Sequence, residues 1–388
     1  MDFDSRPRLG TQSTKWDQME ARYGVSPEDG LAMWIADMDF PAPPCVIEAL
    51  RADLDQGVLG YFGDDGRYLD AVCGWMKRRH GWEVDPEAIF VDHGTVQGAS
   101  MVLEAFTEPG DHVLMLTPIY MGLRRIAHVN GRPATEVPLA KEDGRYVIDF
   151  DAMEAALTGK EKLIFFCSPL NPGGRVWTQE ELTAIADFCI RHDLLLVSDE
   201  VHHDLIMPGY THIAMPVAAP QARDRTIMLT GTGKTFNLAG GMLGNVTIES
   251  PELRARFKKI HARNVTDVNR FGPIAATAAY NEGEAWLEAV IAKIDQNRKI
   301  FDAGINAIPG VHSMDLQSTY LAWVDFTNTG MDRDQIHKRV KESAKIAAND
   351  GLTLADHCGS FLRFNLAAST DLVEDAVARM QTAFSDLQ

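Results

Sequence analysis

Cysteine is scarce and unpatterned in this chain of 388 residues: Cys45, Cys73, Cys167, Cys189 and Cys358 are odd in number and include no C-x-x-C pair. That excludes a disulfide framework or a zinc knuckle and fits a reducing cytoplasm. No stretch approaches the ~18 apolar residues of a membrane-spanning helix. The opening MDFDSRPRLG is charged and lacks the apolar segment of a secretory signal, so neither export nor membrane anchoring is expected. Positive charge is also short. Lys and Arg number 37 against 55 Asp and Glu, a formal net charge of −18, and a chain without a basic excess is not expected to bind nucleic acid. Repeats and low-complexity tracts are missing. What is present is 45% hydrophobic residues and a length that favours two cores, one large and one small.

Between residues 88 and 250 short β-type runs alternate with amphipathic stretches: AIFVDHG, DHVLMLTP, KLIFFCSP, LLLVSDE, RTIMLTG and GNVTI. This alternation predicts an α/β fold with a large, mostly parallel sheet covered on both faces. The clearest helix start is Thr178, where TQEE supplies a capping box ahead of Leu182, Ile185, Ala186 and Cys189 at helical spacing. After Pro251 the texture changes to helices over 251–263 and 284–307, then LQSTYLAWVDF, a charged helix near 333–347, FLRFNLA and a last helix, which reads as a smaller α+β domain. Residues 1–45, with Pro41, Pro43 and Pro44, read as an arm and part of the small domain. The large domain is placed at 46–283 and the small one at 284–388.

LTGTGKTFNLAG (229–240) looks like the end of a nucleotide-binding P-loop, but the first glycine of that motif is replaced by Met228. The acid of LLLVSDE precedes the lysine, where a P-loop protein places it after. HGTVQG (93–98) has G-x-x-x-G spacing and not the dinucleotide fingerprint. DEVHHD (199–204) follows a strand and lacks the H-E-x-x-H pattern, so no metal is expected. The polar clusters 168–171, 199–204 and 230–237 all fall at strand ends, where such sheets bind ligands. An imine-forming cofactor, pyridoxal 5′-phosphate, needs a lysine, an acid at its ring nitrogen, a donor to its ring hydroxyl, a phosphate cradle and an arginine for the substrate carboxylate. Lys234, Asp199, Asn171, the helix start after Gly94 and Arg363 are candidates for these places in turn.

At this point the chain resembles the fold-type I pyridoxal phosphate enzymes of the aminotransferase class I/II superfamily, most of all the MalY/PatB-type cystathionine β-lyases. The motifs are WIADMDF (34–40), GYFG (60–63), RRHGW (78–82), TPIY (117–120), SPLNPGGRVW (168–177), SDEVHHDL (198–205), KTFNLAG (234–240) and FLRFNLA (361–367). The resemblance implies catalytic roles for Lys234 as Schiff-base lysine and proton-transfer base, Asp199 at the ring nitrogen and Tyr120 on the ring face. It implies that Asn171 and His202 lie near the ring hydroxyl, and that Arg363 binds the α-carboxylate with help from Asn171, Asp37 and Tyr61. Tyr61 would also reach the phosphate of a neighbouring subunit, so a homodimer is implied. Serines common in relatives just before the lysine are Gly231 and Gly233 here, so phosphate contact is expected to shift to Thr230, Thr232 and the amides of Thr95 and Val96, or to water. The function implied is cleavage of cystathionine or a related L-cysteine S-conjugate to a thiol, pyruvate and ammonia. An aminotransferase and a cofactor-binding regulatory protein are the alternatives.

Overall fold

In the computed structural model, which describes residues 3, 6–63 and 66–387, every apolar run named between 88 and 250 forms a strand. In chain order the strands are β1 (Leu31–Met33), β2 (Ile89–Asp92), β3 (His112–Thr117), β4 (Ala134–Pro138), β5 (Ala140–Glu142), β6 (Arg145–Val147) and β7 (Glu161–Cys167). They continue with β8 (Leu195–Asp199), β9 (Thr226–Thr230), β10 (Gly244–Ile248), β11 (His312–Ser313), β12 (Leu321–Asp325), β13 (Ile346–Asp350) and β14 (Phe361–Asn365).

Seven of them form one sheet in the order β2-β10-β9-β8-β7-β3-β4. From β9 to β4 all neighbours are parallel, and the side chains of β3, β7, β8 and β9 are mostly buried, which explains why the sequence shows apolar runs and not alternation there. β10 runs antiparallel to both neighbours. A parallel neighbour requires a crossover, but the link from β9 returns at once through the short helical turns Thr232–Thr235 and Ala239–Gly241, so the strand reverses. Lys234 sits in that link. The helix Gln179–Arg191 starts as expected, with Thr178 and Glu181 forming both bonds of the capping box.

The second sheet has the order β1-β13-β14-β12-β11. β1 comes from the segment read as an arm and part of the small domain; at three residues it is too short to display a period, and it is fixed by parallel pairing with β13. The charged helix expected over 333–347 is shorter: it spans Arg333–Lys338, continues as a π turn to Ser343, and gives way to β13 at Ile346. Ile346, Ala347 and Ala348 are buried between β1 and β14, and that burial outweighs the helical charge pattern. The helix Glu284–Ile305 joins the two cores. Its Trp286 and Leu287 pack with the large sheet, its Phe301 and Ile305 under the small one.

Candidate active site

The carboxyl ends of the parallel strands open into a cavity of about 670 Å³ that the small sheet closes from the other side. Tyr120 follows β3, Asn171 follows β7, Asp199 ends β8, Lys234 follows β9, and Thr95 and Val96 begin the helix Thr95–Phe106 after β2. Arg363 enters from β14, opposite Asn349 in register. The segment 34–40 forms one wall. It is pinned by Asn237, whose side chain bonds Met38 and Phe40 backbone atoms at 2.9–3.0 Å, and by Asn365, which donates to Ile35 and Asp37 carbonyls at 2.7 and 2.6 Å.

The charges in this cavity are poorly compensated. Arg363 is 3% exposed; it donates to Asn171 Oδ1 at 2.9 Å and to the Trp34 carbonyl at 3.4 Å, its Nε has no partner, and no carboxylate among the described residues pairs with it. Burial lowers its pKa. A buried guanidinium in this state is a receptor for an anion, and its planar fork suits a carboxylate. Lys234 Nζ donates to the Ala36 carbonyl at 2.6 Å. Burial first, and then the charge of Arg363, pushes its pKa down to about 8, with Asp37 and Asp199 opposing, so a sizeable fraction is free amine near neutrality. Asp199 is pushed up to about 6, chiefly by burial and also by Glu200, against the Val201 amide and Cys167 thiol that donate to it. His202 is held well below its ordinary value by burial, Lys234 and Arg363 and is therefore neutral.

These features fit pyridoxal 5′-phosphate. A buried carboxylate whose charge is disfavoured gains a partner if a protonated ring nitrogen lies against it. The unpartnered buried Nδ1 of His202 offers a polar contact for the ring substituents. The Thr95 and Val96 amides stand in the first turn of a helix, without intrahelical acceptors, and suit a phosphate. Backbone crowds this cradle: a Cβ at Gly244 would lie 2.5 Å from Thr95 N, and one at Gly231 would lie 3.2 Å from the Leu243 carbonyl. Gly122 has a similar reason, since a Cβ there would strike the Tyr120 ring at 2.4 Å. Gly233 does not, its nearest neighbour standing at 3.6 Å.

Four sequence candidates lie off this cavity. Thr230 and Thr232 are buried, the first without a partner for its hydroxyl, and neither side chain lines the wall; Thr230 ends β9, where side chains alternate sides. Asp37 pairs with Arg8 at 2.7 Å. Tyr61 is fully exposed and does not reach the cavity of its own chain. Other residues were not singled out by sequence. Tyr320 donates to the Ala36 carbonyl at 3.0 Å, the same acceptor that Lys234 uses. Asp204 is buried and accepts from Trp75 Nε1 (3.1 Å), His80 Nε2 (2.8 Å) and Thr235 Oγ1 (2.8 Å), with Arg79 and His203 at 3.2 and 3.1 Å. It thereby fastens the residue after Lys234 to the loop after Asp199. Arg22, Arg125, Met121 and Asn349 also line the cavity; the helices and the strand that bring them carry no local motif.

A lysine after a strand, an acid ending its neighbour and an arginine facing both from a second sheet define the class. The chain belongs to the aminotransferase class I and II family, whose model matches residues 29–380. It is 37% identical over 389 residues to cystathionine beta-lyase PatB of Bacillus subtilis, covering 99% of this chain and 100% of that one. It is 31% identical to protein MalY of Escherichia coli, over 97% and 96% of the two chains. The solved structure of cystalysin from Treponema denticola, which contains a pyridoxal 5′-phosphate cofactor, superposes with a TM-score of 0.94 at 35% identity, covering 100% of this chain and 99% of that one.

Proposed function

We propose that the protein is a pyridoxal 5′-phosphate-dependent carbon–sulfur β-lyase. Its substrate is L-cystathionine or a related L-cysteine S-conjugate, which with water yields a thiol, pyruvate and ammonia. The observation that carries this is Arg363, buried with no carboxylate partner among the described residues and facing the cavity that holds Lys234 and Asp199; the similarity to cystathionine beta-lyase PatB supports the reaction class, and that to cystalysin the cofactor. The cofactor, when bound through Lys234, supplies an electron sink for the bond to the α-proton.

The chain's own residues do the rest. Arg363 takes the substrate α-carboxylate and, held by Asn171, fixes which bond at the α-carbon faces Lys234. The amine of Lys234, with a pKa near 8, accepts the α-proton near neutral pH. Asp199 keeps the ring nitrogen protonated. The β-sulfur then departs as thiolate, and the hydrolysis that follows releases ammonia from the three-carbon remainder. Two further readings belong here. Val58, Leu59 and Tyr61 expose large side chains together, which supports a homodimer in which Tyr61 completes the neighbour's site. All five cysteines are free thiols, which supports a cytoplasmic location.

Purified protein incubated with cystathionine, and separately with alanine and 2-oxoglutarate, tests the reaction. Thiol and pyruvate without glutamate are expected; glutamate alone would replace the lyase by an aminotransferase.

A further inference from the structure

The cavity is more basic than its chemistry requires. In a chain with a net charge of −18, its charged lining is Lys234, Arg363, Arg22 and Arg125 against one carboxylate, Asp199. Lys234, Asp199 and Arg363 have the uses given above. Arg22 and Arg125 have none, and among the described residues no carboxylate stands within ion-pair distance of either, whereas Arg124, the neighbour of Arg125, pairs with Glu136 and Asp356.

Their placement is outward from the reacting centre. Arg363 donates to the carbonyl of Trp34, and the Arg22 guanidinium lies over the Trp34 ring, 5.5 Å from its centroid, with its Nε on neutral Gln18. On the other wall Tyr120 caps the helix Met121–Val129. Met121 and Arg125, four residues apart, share the face of that helix which lines the cavity. Arg22 and Arg125 are both exposed residues, in contrast to the buried Arg363.

We propose that Arg125 and Arg22 form a second anion subsite, which selects S-conjugates whose sulfur substituent carries its own carboxylate. This rests on the lyase reading and adds the class of its substrate. The α-carboxylate goes to Arg363, the sulfur lies between, and the distal carboxylate reaches the rim, where guanidinium–carboxylate bonds are partly solvated and discriminate without locking the thiol product in place.

The test compares S-(2-carboxyethyl)-L-cysteine and cystathionine with S-propyl-L-cysteine, in the holoenzyme and in its Arg125→Ala and Arg125→Glu variants. Arg125 is exposed, so the variants fold. Loss of about tenfold or more in kcat/KM is expected for the two acidic conjugates in Arg125→Ala, with S-propyl-L-cysteine unchanged. In Arg125→Glu the preference should turn toward S-(2-aminoethyl)-L-cysteine. Calorimetry gives a readout apart from turnover: L-2-aminopimelate should bind more tightly than L-2-aminoheptanoate to the native protein, and by a clearly smaller margin to Arg125→Ala, where Arg22 alone remains. Equal effects of the substitution on acidic and alkyl conjugates, or none on either, overturn the subsite while leaving the lyase intact. A native protein that releases thiol from none of the conjugates overturns the lyase reading and the subsite with it.

Discussion

Lys234 and Asp199 are displaced in opposite directions by the same burial, and this sets the pH behaviour of the cofactor-free protein. Lys234 attacks an aldehyde only as free amine, so the rate of condensation with pyridoxal 5′-phosphate should rise with pH and level off above about 8; a plateau only near the ordinary lysine value would contradict the assigned environment. Asp199 holds its proton more tightly folded than unfolded. Between its ordinary 3.8 and about 6 the folded form carries the extra proton, so its contribution falls as pH rises through that window, by up to about 3 kcal/mol. Denaturant midpoints of the cofactor-free protein at pH 4 and pH 6 should show that loss in the native sequence and not in Asp199→Asn. Asp204→Asn, which leaves several buried donors short of a charge, should cost about 3–5 kcal/mol in stability, read as a lower midpoint. Lys234, Asp199 and Asn171 were legible as candidates because each ends or follows an apolar run that reads as a strand, and Arg363 because it lies in the FLRFNLA motif. Arg22, Arg125 and Tyr320 were not, since nothing near them in sequence indicates which cavity they face.

Among the elements, the link between β9 and β10 is the one most altered by seeing it folded. As a sequence its two glycines suggested a phosphate loop and then a departure from relatives. Folded, Gly231 lets β9 pass the Leu243 carbonyl, whereas Gly233 has room for a side chain. Gly233→Ala should therefore be tolerated and raise stability by up to about 1 kcal/mol, while Gly244→Ala, against Thr95 N, should weaken retention of the cofactor; equilibrium dialysis of the two variants separates these outcomes. The start of the capped helix Gln179–Arg191 was readable because its signals are local, Thr178 and Glu181 each bonding the other's amide three residues away. The end of the helix at Arg333 was not, because β13 forms only by pairing with strands distant in sequence.

For the whole molecule, the exposed Tyr61 makes a distinct demand: if it serves a neighbour's site, Tyr61→Ala should weaken cofactor binding while leaving monomer stability within about 0.5 kcal/mol of native, and light scattering should give a dimer for both proteins. The sequence by itself determined the alternation of apolar runs and helices, hence the sheet, and the residue types at the strand ends, hence the cofactor. These are properties of near neighbours, set by side-chain period and strand order. Only the tertiary structure decided that Thr230 and Thr232 do not line the cavity, that Asp37 pairs with Arg8, and that two arginines from separate helices line it with no carboxylate among the described residues within ion-pair distance. Such facts depend on which distant surfaces are brought together and which charges are left without a partner when they are.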